Sequence, residues 1–166
     1  MDMDTTRIEK DELFTRWINE AYRMEVAMIP VLEHHISDAE RLPKLQAKLQ
    51  EHLRATQHHA ALVRSCLERL GETVPSDGEL TSPLENAHTV ANAGPEDLLI
   101  KDGLNDFSTE QYEIATYKAL ITAARDLGHL ECERAFEEIL DDEQEMANWL
   151  DINLPLLVER TIRHAA

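Results

Sequence analysis

The stretch "FSTEQYEIATYKAL", Phe107–Leu120, decides how the chain is read. Phe107, Ile114, Tyr117, Leu120 and the following Ile121 recur at helical spacing, which marks one apolar face of a helix. Glu110 and Glu113 stand three residues apart, on or beside that face. A carboxylate turned into a core costs several kcal/mol unless something pairs with it. The question is what two inward glutamates would hold.

Composition narrows the answer. A chain of 166 residues is one domain with room for a proper core, here 1–166 with its core at about 10–157. Gly, Pro and aromatics are scarce, which favours an all-α fold with a polar surface. The formal net charge of −17 repels phosphates and anionic lipid, so neither nucleic acid nor membrane is expected as a partner. A dense acidic surface serves solvation, and it also collects cations. Cys66 and Cys132 lack metal-finger spacing and read as small apolar helix residues in a reducing compartment, the cytoplasm. The acidic start "MDMDTTRIEKDE" has no apolar segment of the kind a signal peptide needs. Nothing approaches the ~20 apolar residues of a membrane span.

Working outward from Phe107–Leu120, the pattern predicts four long helices. The first covers about Lys10 to Ile36, with Phe14, Trp17, Ile18, Ala21, Met28 and Leu32 on its stripe, and Pro30 is expected to kink it. The second opens at Pro43 and stops at Leu70 before Gly71. Residues 71–95 are rich in turn formers and read as a connection, in which "SPLENAHTVANA" can form a short helix capped by Ser82. The third helix runs from about Pro95 to Leu127, ending at Gly128. The fourth starts near Leu130 and is perturbed at Pro155. Two hairpins joined by one long crossover give a four-helix bundle with ferritin-like connectivity.

Three of these helices each turn a glutamate inward near mid-length. Glu25 lies four after Ala21 and three before Met28. Glu113 lies four before Tyr117. Glu143 lies four after Ile139. The second helix offers His52 and His59, seven apart on one face. Glu113 and Glu143 are separated by 30 residues, and 30 beyond Glu25 stands Ala55, where a repeat of the hairpin would place a fourth acid. Divalent metals a few ångströms apart need several anionic oxygens, with imidazoles at the ends, and facing helices supply both. Carboxylate with imidazole suits iron, manganese or zinc rather than calcium or magnesium.

Each residue alone also has a plain reading. Glu110 reads as a boundary residue that snorkels, and a lone His52 or His59 as a satisfied core histidine. His58 and His88 read as surface or crossover residues. His34, His35 and His129, near helix ends, read as caps. Tyr22, Tyr112 and Tyr117 are candidates to support the carboxylates, with core packing the expectation for two of them.

At these residues the chain resembles the bacterial YciE/YciF family of ferritin-like proteins, a domain of unknown function, over roughly Trp17 to Asn153. "EQYEIATY" is similar to the family run Glu-His-Tyr-Glu-Ile-Ala-x-Tyr, with Gln111 in place of the histidine. "YRMEVAMIPVL" resembles its helix-1 segment around Glu25, "LQEHLRATQHH" its Glu-His-Leu-Glu-Glu-Thr segment, and "LDDEQEMA" its acidic run at Glu143. The departures are Arg54, Ala55 and Ala147, where family members carry acids. His59 stands where the family tends to have glutamine and partly compensates.

The resemblance implies a cytoplasmic, stress-associated homodimer with no settled reaction. Together these readings give a metal site of Glu25, Glu113 and Glu143, with His59 as nitrogen ligand and His52 and Glu110 in reserve. The ion expected is iron or manganese, with zinc also compatible, and the missing acids predict no more than one tightly held ion. The function expected is metal binding in oxidative or general stress. The rival is a non-enzymatic dimeric bundle with a decayed site, serving assembly or partner binding.

Overall fold

The computed structural model describes residues 3–74 and 97–164. Among them are four long helices: α1 (Met3–Asp38), α2 (Pro43–Arg69), α3 (Leu98–Leu127) and α4 (Leu130–His164). A single 3-10 turn, Ala39–Arg41, joins the first two. Pro43 occupies the first turn of α2, where its missing N–H is no loss. The helix expected within residues 82–93 lies outside the described residues.

Two glycines end helices for a stated reason. Gly71 and Gly128 have φ of 81° and 78°, the left-handed conformation that a Cβ disfavours. Beyond each, the chain folds back on the last turn. Glu72 N–H donates to the Leu67 carbonyl at 3.1 Å and His129 N–H to the Ala124 carbonyl at 2.8 Å. These bonds satisfy carbonyls that the helix itself leaves open.

The helices pair as α1 with α2 and α3 with α4, and the hairpins meet through α1 against α3 and α2 against α4. Arg7 near the start of α1 donates to the Leu127 carbonyl at the end of α3, while His35 near the end of α1 meets Asp106 near the start of α3. Lys48 of α2 reaches Glu145 of α4, and the later His58 reaches the earlier Glu138. Both cross-hairpin pairs are therefore antiparallel. It follows that α2 ends and α3 begins at opposite ends of the bundle, so the connection is a long crossover, the ferritin-like arrangement.

Both prolines fall inside continuing helices. Pro30 does not end α1, and its neighbours Met28 and Leu32 are both buried on the core side. The ring itself is exposed, so the carbonyl it leaves unbonded can turn to water. Trp17 departs from the expected stripe, since 41% of it is exposed.

The core is split. One apolar cluster contains Phe14, Ile18, Val63, Leu67, Leu120 and Phe136. A second contains Met28, Leu32, Leu49, Met146 and Leu150. Cys66 and Cys132 are buried free thiols in the first, hydrogen-bonded to each other between α2 and α4. Between the clusters lies a polar layer. Replacing Gly128 with Ala should destabilise the protein by about 1 kcal/mol, because the side chain must enter the left-handed region. Chemical denaturation measures it, and an unchanged midpoint would show that the αL cap is not what ends α3.

Candidate metal centre

The polar layer is built from helical register. Glu25 follows Ala21 and Tyr22 on the buried face of α1, and Glu143 follows Ile139 on that of α4. Glu110 and Glu113 precede Ile114 and Tyr117 on α3, while His52 and His59 lie two turns apart on α2. All six expected residues are buried: none is more than 5% exposed. Glu110 is thus no boundary residue. Four glutamates and two histidines share a space between two apolar clusters.

Their donor atoms fall into two groups of three. Glu25, His59 and Glu143 form one, and His52, Glu110 and Glu143 the other, with one atom from each residue lying within 4.8 Å of the others in its group. Glu143 belongs to both. His59 Nδ1 lies 2.9 Å from Glu143 Oε1 and 3.7 Å from Glu25 Oε2. His52 Nε2 lies 3.0 Å from Glu110 Oε1 and 4.0 Å from Glu143 Oε2. Glu113 is buried in the same layer but joins neither group.

The groups fit a cation better than they fit one another. Glu25 Oε2, Glu110 Oε2, both oxygens of Glu143 and His59 Nδ1 are buried without a hydrogen-bond partner. At 2.9 Å, His59 and Glu143 are close but lack the angle of a hydrogen bond. Buried polar atoms are rarely left this way, and a shared ion is one of the few reasons. The supporting contacts point in the same direction. His59 Nε2 lies 3.1 Å from the Asp142 carboxylate, to which its N–H donates, so when a cation displaces the other ring proton the lone pair freed is that of Nδ1, inside the layer. The Tyr117 hydroxyl donates to Glu25 Oε1, leaving Oε2 for the centre.

Electrostatics measures the strain of this arrangement without an ion. Burial raises the pKa of Glu110 to about 8, with Asp106 and Glu25 adding to the effect. Burial also lifts Glu143 to about 7, helped by Glu110. Glu25 is raised by burial and by Glu143, and Glu113 is pushed well up by burial and by the charges of Glu143, Glu25 and Glu110. Burial opposes the charge on His59, yet Glu143 and Glu25 outweigh it and raise its pKa to about 11. Burial lowers that of His52.

Several residues are placed otherwise than expected. Tyr112 is 45% exposed and packs in no core, whereas Tyr22 is buried and accepts a hydrogen bond from Arg64. His35 is no cap: it is buried against Asp106. His129 bonds Asp11 and stacks on Phe14, whereas His58 lies at the surface as expected, paired with Glu138. Asp142 and Asp106 went unnoticed in the sequence. Asp142 sits beside Glu143 in "LDDEQEMA", one residue off the stripe, and half of its side chain is exposed.

A helical bundle of two hairpins with carboxylates and imidazoles facing inward is a protein of the ferritin-like class. The chain belongs to the family described as a domain of unknown function, DUF892, which matches residues 9–163. It is similar to a solved protein of Xanthomonas campestris pv. campestris, with 29% identity, 93% of this chain and 97% of that one covered, and a TM-score of 0.80. YcfI of Rhodopseudomonas palustris shares 26% identity over 86% of this chain and 92% of its own, with a TM-score of 0.68. The E. coli stress protein YciF has the same fold, with a TM-score of 0.71 at 18% identity over 93% of this chain and 98% of its own.

The raised carboxylates set the pH dependence of the metal-free protein. Glu110 and Glu143, at about 8 and about 7, hold protons that an ordinary glutamate at 4.5 releases. The folded state then binds more protons than the unfolded one, so stability rises as pH falls from about 8 toward the unfolded glutamate value. His59 acts in the same sense down to the ordinary imidazole range, and His52 opposes it only below that range. Chelated protein should therefore gain on the order of 2 kcal/mol, several degrees in melting temperature, between pH 8 and 6.5. Saturating metal should weaken or reverse the trend, because protons compete with it for the ligands. Identical melts across this range after chelation would contradict the burial of these acids.

Proposed function

We propose that the protein binds divalent iron or manganese in the polar layer and serves in the response to oxidative or general stress. The observation that carries this reading is the pair of donor groups sharing Glu143, with buried donor atoms that no protein hydrogen bond satisfies. The stress role is supported by the description of YciF, a structural relative, as a stress protein. Each group offers two carboxylates and an imidazole, a set that favours a transition metal over calcium or magnesium. The expectation of a single ion follows from Ala55 and Ala147 in place of acids, with Glu110 held only in reserve as a ligand. With Glu110 buried, four carboxylates face the layer, enough to balance two divalent cations.

The roles of the residues follow from their contacts. Glu143 spans both positions, Glu25 and His59 complete one, and Glu110 and His52 the other. Asp142 fixes the His59 tautomer, and Tyr117 orients Glu25. The apolar clusters above and below exclude water and strengthen every charge interaction within. Bound iron or manganese would supply one-electron chemistry toward peroxide or oxygen.

A second reading has its own support. Trp17 and Tyr112, both exposed, flank a groove of about 210 Å³ between α1 and α3. That face suits a homodimer whose metal site has decayed.

Metal content separates the two. Protein equilibrated with Fe²⁺ or Mn²⁺ and dialysed should retain up to two ions per chain. Glu143→Gln should lose both, and Glu110→Gln one. Neither variant should unfold the metal-free chain, since Gln keeps the shape of the protonated acid and cannot add to the charge that burial already disfavours. Wild-type protein that retains no metal would favour the assembly reading. Full retention in Glu143→Gln would refute its shared role.

A further inference from the structure

A second polar cluster lies near one end of the bundle, apart from the two donor groups. Asp102 and Asp106 stand four apart on α3 and so share a face, which meets His35 near the end of α1. All three are buried. The His35 Nδ1–H donates to Asp106 Oδ1 at 2.8 Å, a charge-assisted bond that satisfies both. The second contact is looser, with His35 Nε2 3.5 Å from Asp102 Oδ1. Asp102 is left short of donors: its side chain is 8% exposed and its Oδ2 has no hydrogen-bond partner.

Asp102 also lines a cavity of about 530 Å³, within the size range of small-molecule sites. Much of the wall is apolar, supplied by Leu45, Leu49, Leu99, Trp149 and Leu154. Lys44 and Arg160 border it too, but both are exposed to solvent. An ion pair with an exposed Lys or Arg contributes little, whereas a charge-assisted bond to a buried carboxylate contributes several times more. The site therefore selects a donor at the Asp102 end and hydrocarbon elsewhere. Burial raises the pKa of Asp102 to about 6, with Asp38 and Asp106 adding to the effect and His35 opposing it, so the carboxyl is ionised at neutral pH. Around it stand three carboxyls, Asp38, Asp102 and Asp106, against the buried imidazole of His35 and the solvent-exposed one of His34, 3.4 Å from Asp38, so among the described residues no buried cation faces the free oxygen of Asp102.

We propose that this cavity binds an organic ammonium ion, a primary amine on a compact hydrocarbon body, whose N–H donates to Asp102 while the body packs against Trp149 and the leucines. The site is independent of the metal reading, since none of its residues belongs to either donor group.

The chain has two tryptophans, so Trp17→Phe leaves Trp149 in the cavity wall as the only one. In that background, Trp149 emission is titrated with three probes of one shape: 1-adamantanamine, 1-adamantanol and 1-adamantanecarboxylate. The amine should bind roughly tenfold or more tighter than the alcohol, and the carboxylate weakest. Asp102→Asn should remove the advantage of the amine and leave the alcohol unchanged, which also shows that the cavity is intact. Equal affinity for all three probes would mean an apolar cavity only, and tighter binding of the carboxylate would mean that Lys44 and Arg160 select an anion. Either result overturns the proposal, as does an amine preference that survives in Asp102→Asn or no saturable change with any probe.

Discussion

The structure depends on one unfavourable arrangement: four glutamates facing one another in a buried layer between two apolar clusters. Burial is the largest cause of the raised pKa at each of them, and mutual repulsion adds to it. A fold optimised for stability alone would fill this layer with leucine, because well-packed apolar residues commonly match or exceed a buried charged network. The layer instead keeps its acids and supports them from outside. Asp142 holds one histidine in a single tautomer, and Tyr117 holds one glutamate in a single orientation. Supports that aim lone pairs at a common point are what an ion needs and what packing does not.

The helices and their ends were legible because the signals are local. Gly71 and Gly128 stop α2 and α3 through their own backbone freedom, and Pro43 opens α2 through its missing donor. Register on an apolar stripe was enough to place Glu25, Glu113 and Glu143 inward. It failed where the answer depends on a neighbouring helix. Glu110 occupies the same face as Glu113 one turn away, and register alone leaves it between boundary residue and ligand; the approach of α2 with His52 encloses it. Trp17 reads as core by period and is half open because no described helix covers that side of α1. His35 reads as a cap, but it is paired with an aspartate 71 residues later in the chain, which no spacing rule connects.

The two polar sites divide the bundle between them. The mid-bundle layer is crowded with acceptors and closed by side chains above and below. The cluster at His35 is mostly satisfied internally, and its under-satisfied carboxyl, Asp102, lies in the wall of an apolar cavity. The first arrangement suits a small ion that can be surrounded, and the second suits a molecule with one donor and a hydrocarbon body. Asp106, one turn before Glu110 on α3, is the physical link between them, and its charge contributes to raising the pKa of Glu110.

The central claim is that Glu143 is shared between two ion positions. Anomalous diffraction from crystals of the protein grown with Mn²⁺ tests it most directly. The account predicts two anomalous peaks within the polar layer, one on each side of the Glu143 carboxylate, the first beside His59 and the second beside His52. A layer without anomalous density, while peaks appear only at the acidic surface, would contradict it.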